Sequence, residues 1–164
     1  MNLPPIATTP MPQVDEILAL DLLTLRAHTE LAGDVFDPHK QRIAIEKSLA
    51  VSEVVAVRRE GALVAYAMLQ PREAGCWFVT GFNTHPSHRT APVFRDLFAQ
   101  LADVVHRRAI TSLRSNVYKT NRRSMAFHRR LGFKVTRENA KGVEFSASLE
   151  ELTVNQSISR GRSS

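Results

Sequence analysis

The chain has 164 residues, of which 43% are apolar and 23% charged, with a formal net charge of +6. That length carries one domain, a single core of several helices around a sheet, and leaves no room for a second. A lone cysteine, Cys76, excludes an intramolecular disulfide framework and suits a reducing cytoplasm. The opening Met1-Asn2-Leu3-Pro4-Pro5 lacks a charged segment leading into an apolar one, and no apolar run reaches membrane-spanning length, so the expectation is a cytoplasmic protein with no membrane partner.

Residues 1–13 contain four prolines and are expected to form an extended arm. Apolar positions Ile17, Leu18, Leu22 and Leu25 recur with helical period from Val14 to about Leu31, and Asp37 as cap with Pro38 behind it opens a second helix to about Leu49. Val54–Arg59 and Leu63–Leu69 read as a hairpin turning at Glu60-Gly61, and Cys76–Asn83 as the next strand. Val93, Leu97, Leu101 and Val104 mark a long amphipathic helix. Ile110–Tyr118 alternates as a strand, a helix spans Asn121–Leu131, and Phe133–Arg137 with Val143–Leu149 complete the sheet around Lys141-Gly142. The domain should occupy residues 14–152, followed by a basic polar tail over 153–164. Helices, three strands, helix, strand, helix and two strands make an α/β domain with a mixed sheet. Cys76, beside Trp77 and Phe78 in an apolar strand, is a buried thiol rather than a nucleophile.

Charge is unevenly distributed. Ten Lys or Arg residues lie between Arg107 and Arg137 with no acidic residue among them, so an anionic partner is expected on that face, whether phosphates, nucleic acid, an acidic protein surface or a negatively charged substrate.

The most informative stretch is Asn121–Phe133. At about 100° per residue, Asn121, Ser124 and His128 share one stripe of a helix, Phe127 and Leu131 share the next, and Gly132 stands where a left-handed cap belongs. This spacing resembles the N-x-x-A/S-x-x-F/L-Y-x-x-x-G-F signature of the GNAT superfamily of N-acetyltransferases. Val57–Ala65 resembles the family's early hairpin, and Pro86-Ser87-His88-Arg89 the approach to its cofactor loop. The resemblance covers roughly residues 50–149. It implies a mixed, mostly antiparallel sheet flanked by helices and splayed between the family's fourth and fifth strands, here Cys76–Asn83 and Ile110–Tyr118.

It also implies an activity: transfer of an acetyl group from acetyl-CoA to a primary amine by direct attack, without a metal. The protein would position the reactants, remove a proton from the amine and protonate the thiolate. Phe82 and Thr84 would lend backbone to the pantetheine arm, opposite Ser115 and Val117. Asn121 and Ser124 would contact pantetheine and phosphate. The family's acid is a tyrosine seven residues after the asparagine, and His128 holds that place as the candidate general acid. For a base, His85 at the strand end comes first, then Glu73 through a water. The loops shaping the acceptor pocket should be residues 26–40 and 70–75.

The chain departs from the family at the cofactor loop, where small residues normally let backbone N–H groups approach the pyrophosphate. It reads Arg89-Thr90-Ala91-Pro92-Val93-Phe94, with Pro92 and Phe94 in place of the two glycines. Loss of one donor to a charged group costs about 1.5–3 kcal/mol, roughly tenfold or more in affinity. Arg89, Arg95 and the Arg122 face compensate in part, so weak, salt-sensitive coenzyme A binding is expected through Arg89, Thr90, Ala91, Val93 and Arg95. The same departures keep two alternatives open. One is a catalytically inactive GNAT-fold binding or structural protein, for which Gly75–Thr80 also resembles short GNAT-like proteins of tailed phages, some of them virion components. The other is a basic nucleic-acid-binding protein using Arg107–Arg137.

Overall fold

The computed structural model describes residues 10–150 and 152. Residues 1–9 of the expected arm and the expected tail over 153–164 lie outside the described residues. Three helices come first: α1 (Val14–Thr24), α2 (Arg26–Leu31) and α3 (Pro38–Val51). Strands β1 (Glu53–Arg59), β2 (Ala62–Glu73) and β3 (Cys76–Thr84) follow, then helix α4 (Ala91–Arg107), strand β4 (Ser112–Tyr118), helix α5 (Arg122–Leu131) and strands β5 (Lys134–Glu138) and β6 (Gly142–Ser148). The six strands form one sheet in the order β1-β2-β3-β4-β6-β5, antiparallel except for the β3–β4 pair. The mixed, helix-flanked sheet expected from the sequence is the one observed.

Successive β2 residues feed the two faces of the sheet, as strand alternation requires. Ala65, Ala67 and Leu69 face α4, where they pack with Val93, Leu97 and Val104. Tyr66 and Met68 face the opposite way, against Ile17, Leu18 and Leu20 of α1 and Ile45 of α3. A third cluster joins Val117, Val143, Phe145 and Ala147 to Met125 and Leu131 of α5. Helices α4 and α5 therefore share one face, and α1 and α3 hold the other.

Two expectations need correction. The helix expected over Val14–Leu31 is divided at Leu25, beside Thr24, whose hydroxyl donates to the Leu20 carbonyl and accepts from Asn83. Strand β2 also runs past Leu69 to Glu73, through Pro71. Beyond Leu69 it pairs only with β3, since β1 begins at Glu53 opposite Leu69, so the missing Pro71 N–H costs no ladder bond on the β1 side.

Candidate active site

The site begins with one extra residue. β2 and β3 pair in register from Ala65↔Thr84 to Met68↔Gly81, then shift so that Leu69 faces Val79, leaving Thr80 as a bulge on β3. A bulge bends its strand and increases the local twist. β3 accordingly pairs with β4 only from Cys76↔Ser112 to Val79↔Ser115, and from Thr80 onward the two parallel strands diverge. The His85 N–H bonds the Val64 carbonyl, so by alternation the peptide groups of Asn83 and Gly81 face β2 while those of Phe82 and Thr84 face the wedge. Phe82 thus turns its N–H and C=O toward the wedge. Thr84 does so less fully, because its N–H already donates to Asn83 Oδ1 at 2.9 Å.

Helix α5 is fixed over this wedge at both ends. Asn121 accepts the Ser124 N–H through Oδ1, as a cap does, and Gly132 at φ 104° lets its own N–H reach Arg129 and the Phe133 N–H reach His128. That register brings His128, 9% exposed, into the opening. Its ring stacks on Phe145 at 4.9 Å and meets the edge of Phe133 at 5.2 Å. Nδ1 lies 2.7 Å from the Ser124 carbonyl, which can only accept, so Nδ1 carries the proton. Nε2 is then the bare nitrogen, and it accepts from the buried Ser115 hydroxyl at 3.1 Å. Burial holds the imidazole below its ordinary 6.5, against the opposing pull of the Ser124 carbonyl. The resting residue is therefore a neutral base with an oriented hydroxyl partner. It becomes an acid only after taking up a proton.

Two cavities meet here, and His128, Val79 and Phe82 line both. The first, about 530 Å³, opens on the α1–α3 side. Its rim includes His28, Thr29, Val35, Phe36 and Lys40 from the 26–40 region, while residues 70–75 do not reach it. That rim is anchored, since Tyr118 donates to Asp34 at 2.7 Å, Lys141 also pairs with Asp34, and Thr120 donates to the His28 carbonyl. In its wall sits Asp21, 1% exposed, accepting from Tyr66 at 2.5 Å, Gln41 at 2.9 Å and Asn83 at 3.1 Å. Burial raises the Asp21 carboxyl above its ordinary 3.8, and the three donors only partly offset it. The second cavity, about 700 Å³, lies between α4 and α5.

At the start of α4 the loop departs from the family pattern in the way the sequence suggests. Thr90 is an extended cap without a side-chain bond, and Pro92 supplies no N–H. The Phe94 N–H is committed to the Thr90 carbonyl, so the first turn keeps the N–H groups of Ala91 and Val93 for a ligand. The Val93 side chain is core. Phe94 joins Phe82, Phe98 and Phe127 in a cluster of four rings whose centroids lie 5.7–6.3 Å apart, tying β3, α4 and α5 together. Burial, and then the nearby Arg123 guanidinium, lower the Arg89 guanidinium from its ordinary value, which marks a positive locus between the starts of α4 and α5.

Other expected site residues fall elsewhere. His85 caps the short turn Pro86–His88 by accepting the Ser87 N–H at 3.0 Å, and it lines neither cavity, so the structure gives it no place as a base. Glu73 is exposed at the end of β2 and lines neither cavity. Asn121 and Ser124 line the α1–α3 cavity rather than the α4 loop. Arg95 lines the α4–α5 cavity. The basic run is partly neutralised by acids from outside it: Arg107 and Arg108 pair with Glu53, Arg107 also with Asp103, and Lys119 with Glu138. Sequence reasoning missed Ser115 as a side chain, Arg123 as a partner of Arg89, and Asp21. The signal for Asp21 was present, since it stands on the same helical stripe as Ile17 and Leu18, a polar residue on an apolar face.

No curated protein matches the chain. Among solved structures, the fold is similar to the PaiA N-acetyltransferase of Thermoplasma acidophilum in complex with coenzyme A, with a TM-score of 0.65 at 12% identity over 82% of this chain and 92% of that one. It is similar to the ribosomal-protein-S18-alanine N-acetyltransferase of Escherichia coli, with a TM-score of 0.61 at 16% identity over 85% and 90% of the two chains. It is also similar to a GNAT family acetyltransferase from Elizabethkingia anophelis with acetyl-CoA bound, with a TM-score of 0.60 at 12% identity over 87% and 94%. Among the described residues no helix is long and apolar enough to cross a membrane. The acetyltransferase (GNAT) family profile matches residues 19–133, a span that includes α4, the wedge and His128, and the chain belongs to that family.

Proposed function

We propose that the protein transfers an acyl group from a coenzyme A thioester, acetyl-CoA being the family's donor, to a primary amine, with Ser115 and His128 carrying the proton. The observation that supports this is the meeting of two cavities at one neutral, oriented imidazole in a strand wedge. The acceptor occupies the α1–α3 cavity, where Asp21 is the buried carboxylate and draws the amine. The thioester carbonyl sits in the wedge beside the Phe82 backbone. The amine nitrogen bonds to the carbonyl carbon, its proton passes through Ser115 Oγ to His128 Nε2, and His128 returns it to the sulfur as the C–S bond breaks. An amide and a free thiol are left. In this scheme His128 is the general acid of the second half-step because it has been the base of the first.

The residues present fit the donor in part. Arg89, Arg123 and the N–H groups of Ala91 and Val93 would meet the pyrophosphate, since Arg and backbone donors suit that chemistry. Pro92 removes one donor, which supports weak and salt-sensitive binding. Titration of acetyl-CoA by calorimetry at low and physiological salt tests this: measurable heat at low salt that shrinks as salt rises is expected, and Arg123→Ala should weaken it further. The four-ring cluster favours one competing reading, a scaffold without turnover. No heat at either salt up to millimolar ligand would exclude acetyl-CoA as the donor, and the same result with longer acyl-CoA thioesters would favour the scaffold.

A further inference from the structure

We propose that the groove between α4 and α5 holds the hydrocarbon tail of a medium-chain acyl thioester, so that the donor carries a longer acyl group than acetyl. The inference rests on the acyltransfer reading and adds the class of the acyl group. The groove measures about 700 Å³, within the range of roughly 300–1,000 Å³ that encloses whole small ligands, and far more than a two-carbon group needs. Among the described residues no acidic side chain lines it, and its polar groups are Arg95, His106 and His128. Its walls are otherwise apolar, built from Phe98, Leu101 and Val105 of α4, Phe127 and Leu131 of α5, and Leu113 of the sheet below.

Helix α4 explains why the groove is open. One face carries Val93, Leu97 and Val104 into the core, and a neighbouring apolar band, Phe98, Leu101, Ala102 and Val105, lines the groove, with Leu101 and Val105 also partly packed on the core. A helix needs only the first band to pack. Ala99 and Ala102 on the rim are exposed and too small to close the gap. An acyl chain leaving a carbonyl beside His128 has two ways to go, because His128, Val79 and Phe82 border both cavities. The α1–α3 side sets Asp21, Lys40, Gln41 and Ser48 among apolar walls that include Ile45, Met68 and Val117. The α4–α5 side is apolar apart from Arg95, His106 and His128. The chain takes the second path.

The test is binding and turnover with saturated acyl-CoA donors of two, four, six, eight and ten carbons, using calorimetry for affinity and thiol release with a primary amine for turnover. Each methylene that is fully buried should tighten binding by about fourfold, so octanoyl-CoA should bind at least about a hundredfold more tightly than acetyl-CoA. Ala102→Trp should abolish that gain, and Ala99→Trp, at the same rim, gives a second variant should the first fail to fold by circular dichroism. Equal affinity for acetyl-CoA and octanoyl-CoA, or a chain-length gain that survives both folded variants, overturns the proposal. Failure of the two readings is distinguishable. Tighter octanoyl-CoA binding without amide formation on any amine supports the groove and refutes acyltransfer, whereas acetyl transfer with no chain-length gain refutes the groove alone.

Discussion

The proton route through His128 gives the sharpest prediction. In His128→Asn the amide nitrogen replaces Nδ1 and keeps the bond to the Ser124 carbonyl, while the nitrogen that accepts from Ser115 is lost. Removing a positioned acid–base group lowers rate by about 10²–10⁴-fold, or about 3–5 kcal/mol of transition-state stabilisation. The fold should survive, because the lost ring contacts with Phe145 and Phe133 are together worth about 1–2 kcal/mol against a total near 5–15 kcal/mol. The pH dependence has a definite sign. The neutral imidazole is the working form and burial lowers its pKa, so activity attributable to His128 is lost only as pH falls below its ordinary 6.5 and is complete above it. A resting imidazolium acid would show the reverse, with activity falling as pH rises. The assay is thiol release from pH 5 to 9 for parent and variant, and their ratio isolates His128 from the ionisation of the amine itself. A variant at the parental rate, or a ratio that declines with rising pH, would refute the reasoning.

Three further outcomes follow from other contacts. Arg58 grips Glu16 at 2.6 Å and, with the Gln13 N–H, holds its carboxyl down to about 2, so the stability it contributes is present above its ordinary 4.5 and is lost between there and about pH 2. Glu16→Gln should cost about 2 kcal/mol at neutral pH, discounted for partial exposure, and nothing near pH 2, as read from urea melts across that range. Gly81→Ala would put a Cβ 2.8 Å from the Tyr66 ring and 2.9 Å from Met68 Cε; the methionine can move but the tyrosine is pinned to Asp21, and a loss of about 1–3 kcal/mol in thermal denaturation is expected. Because the folded carboxyl of Asp21 is raised, its ionisation works against the fold as pH rises. Asp21→Asn should therefore melt at a higher temperature than the parent at neutral pH while raising the KM for the amine, and a lower melting temperature with unchanged KM would remove Asp21 from acceptor binding.

The signature helix was legible because its information is local. Asn121, Phe127, Gly132 and Phe133 each act within one or two turns, through a cap, an apolar stripe and a left-handed stop. Strand alternation and the Asp37-Pro38 start were legible for the same reason. What escaped depends on partners distant in the chain. The Asn83 bond to Thr24, beside the division at Leu25, comes from far along the chain, and the continuation of β2 through Pro71 depends on where β1 happens to begin. His85 stands near the end of the right strand, but a local turn claims its ring nitrogen. Phe94 stands in place of a family glycine, and while its contact with Phe98 follows from helical spacing, its contact with Phe127 of α5 comes from far along the chain.

The bulge at Thr80 reaches further than its size suggests. A gap created by a surplus residue is a matter of counting, and no exchange of one side chain for another can close it. Deleting that residue would bring Val79 and Gly81 together opposite Leu69 and Met68 and restore an unbroken ladder with β2. Substitution can therefore furnish the opening with prolines, phenylalanines or a histidine without sealing it. In such a scaffold, chemistry can drift while architecture stands still.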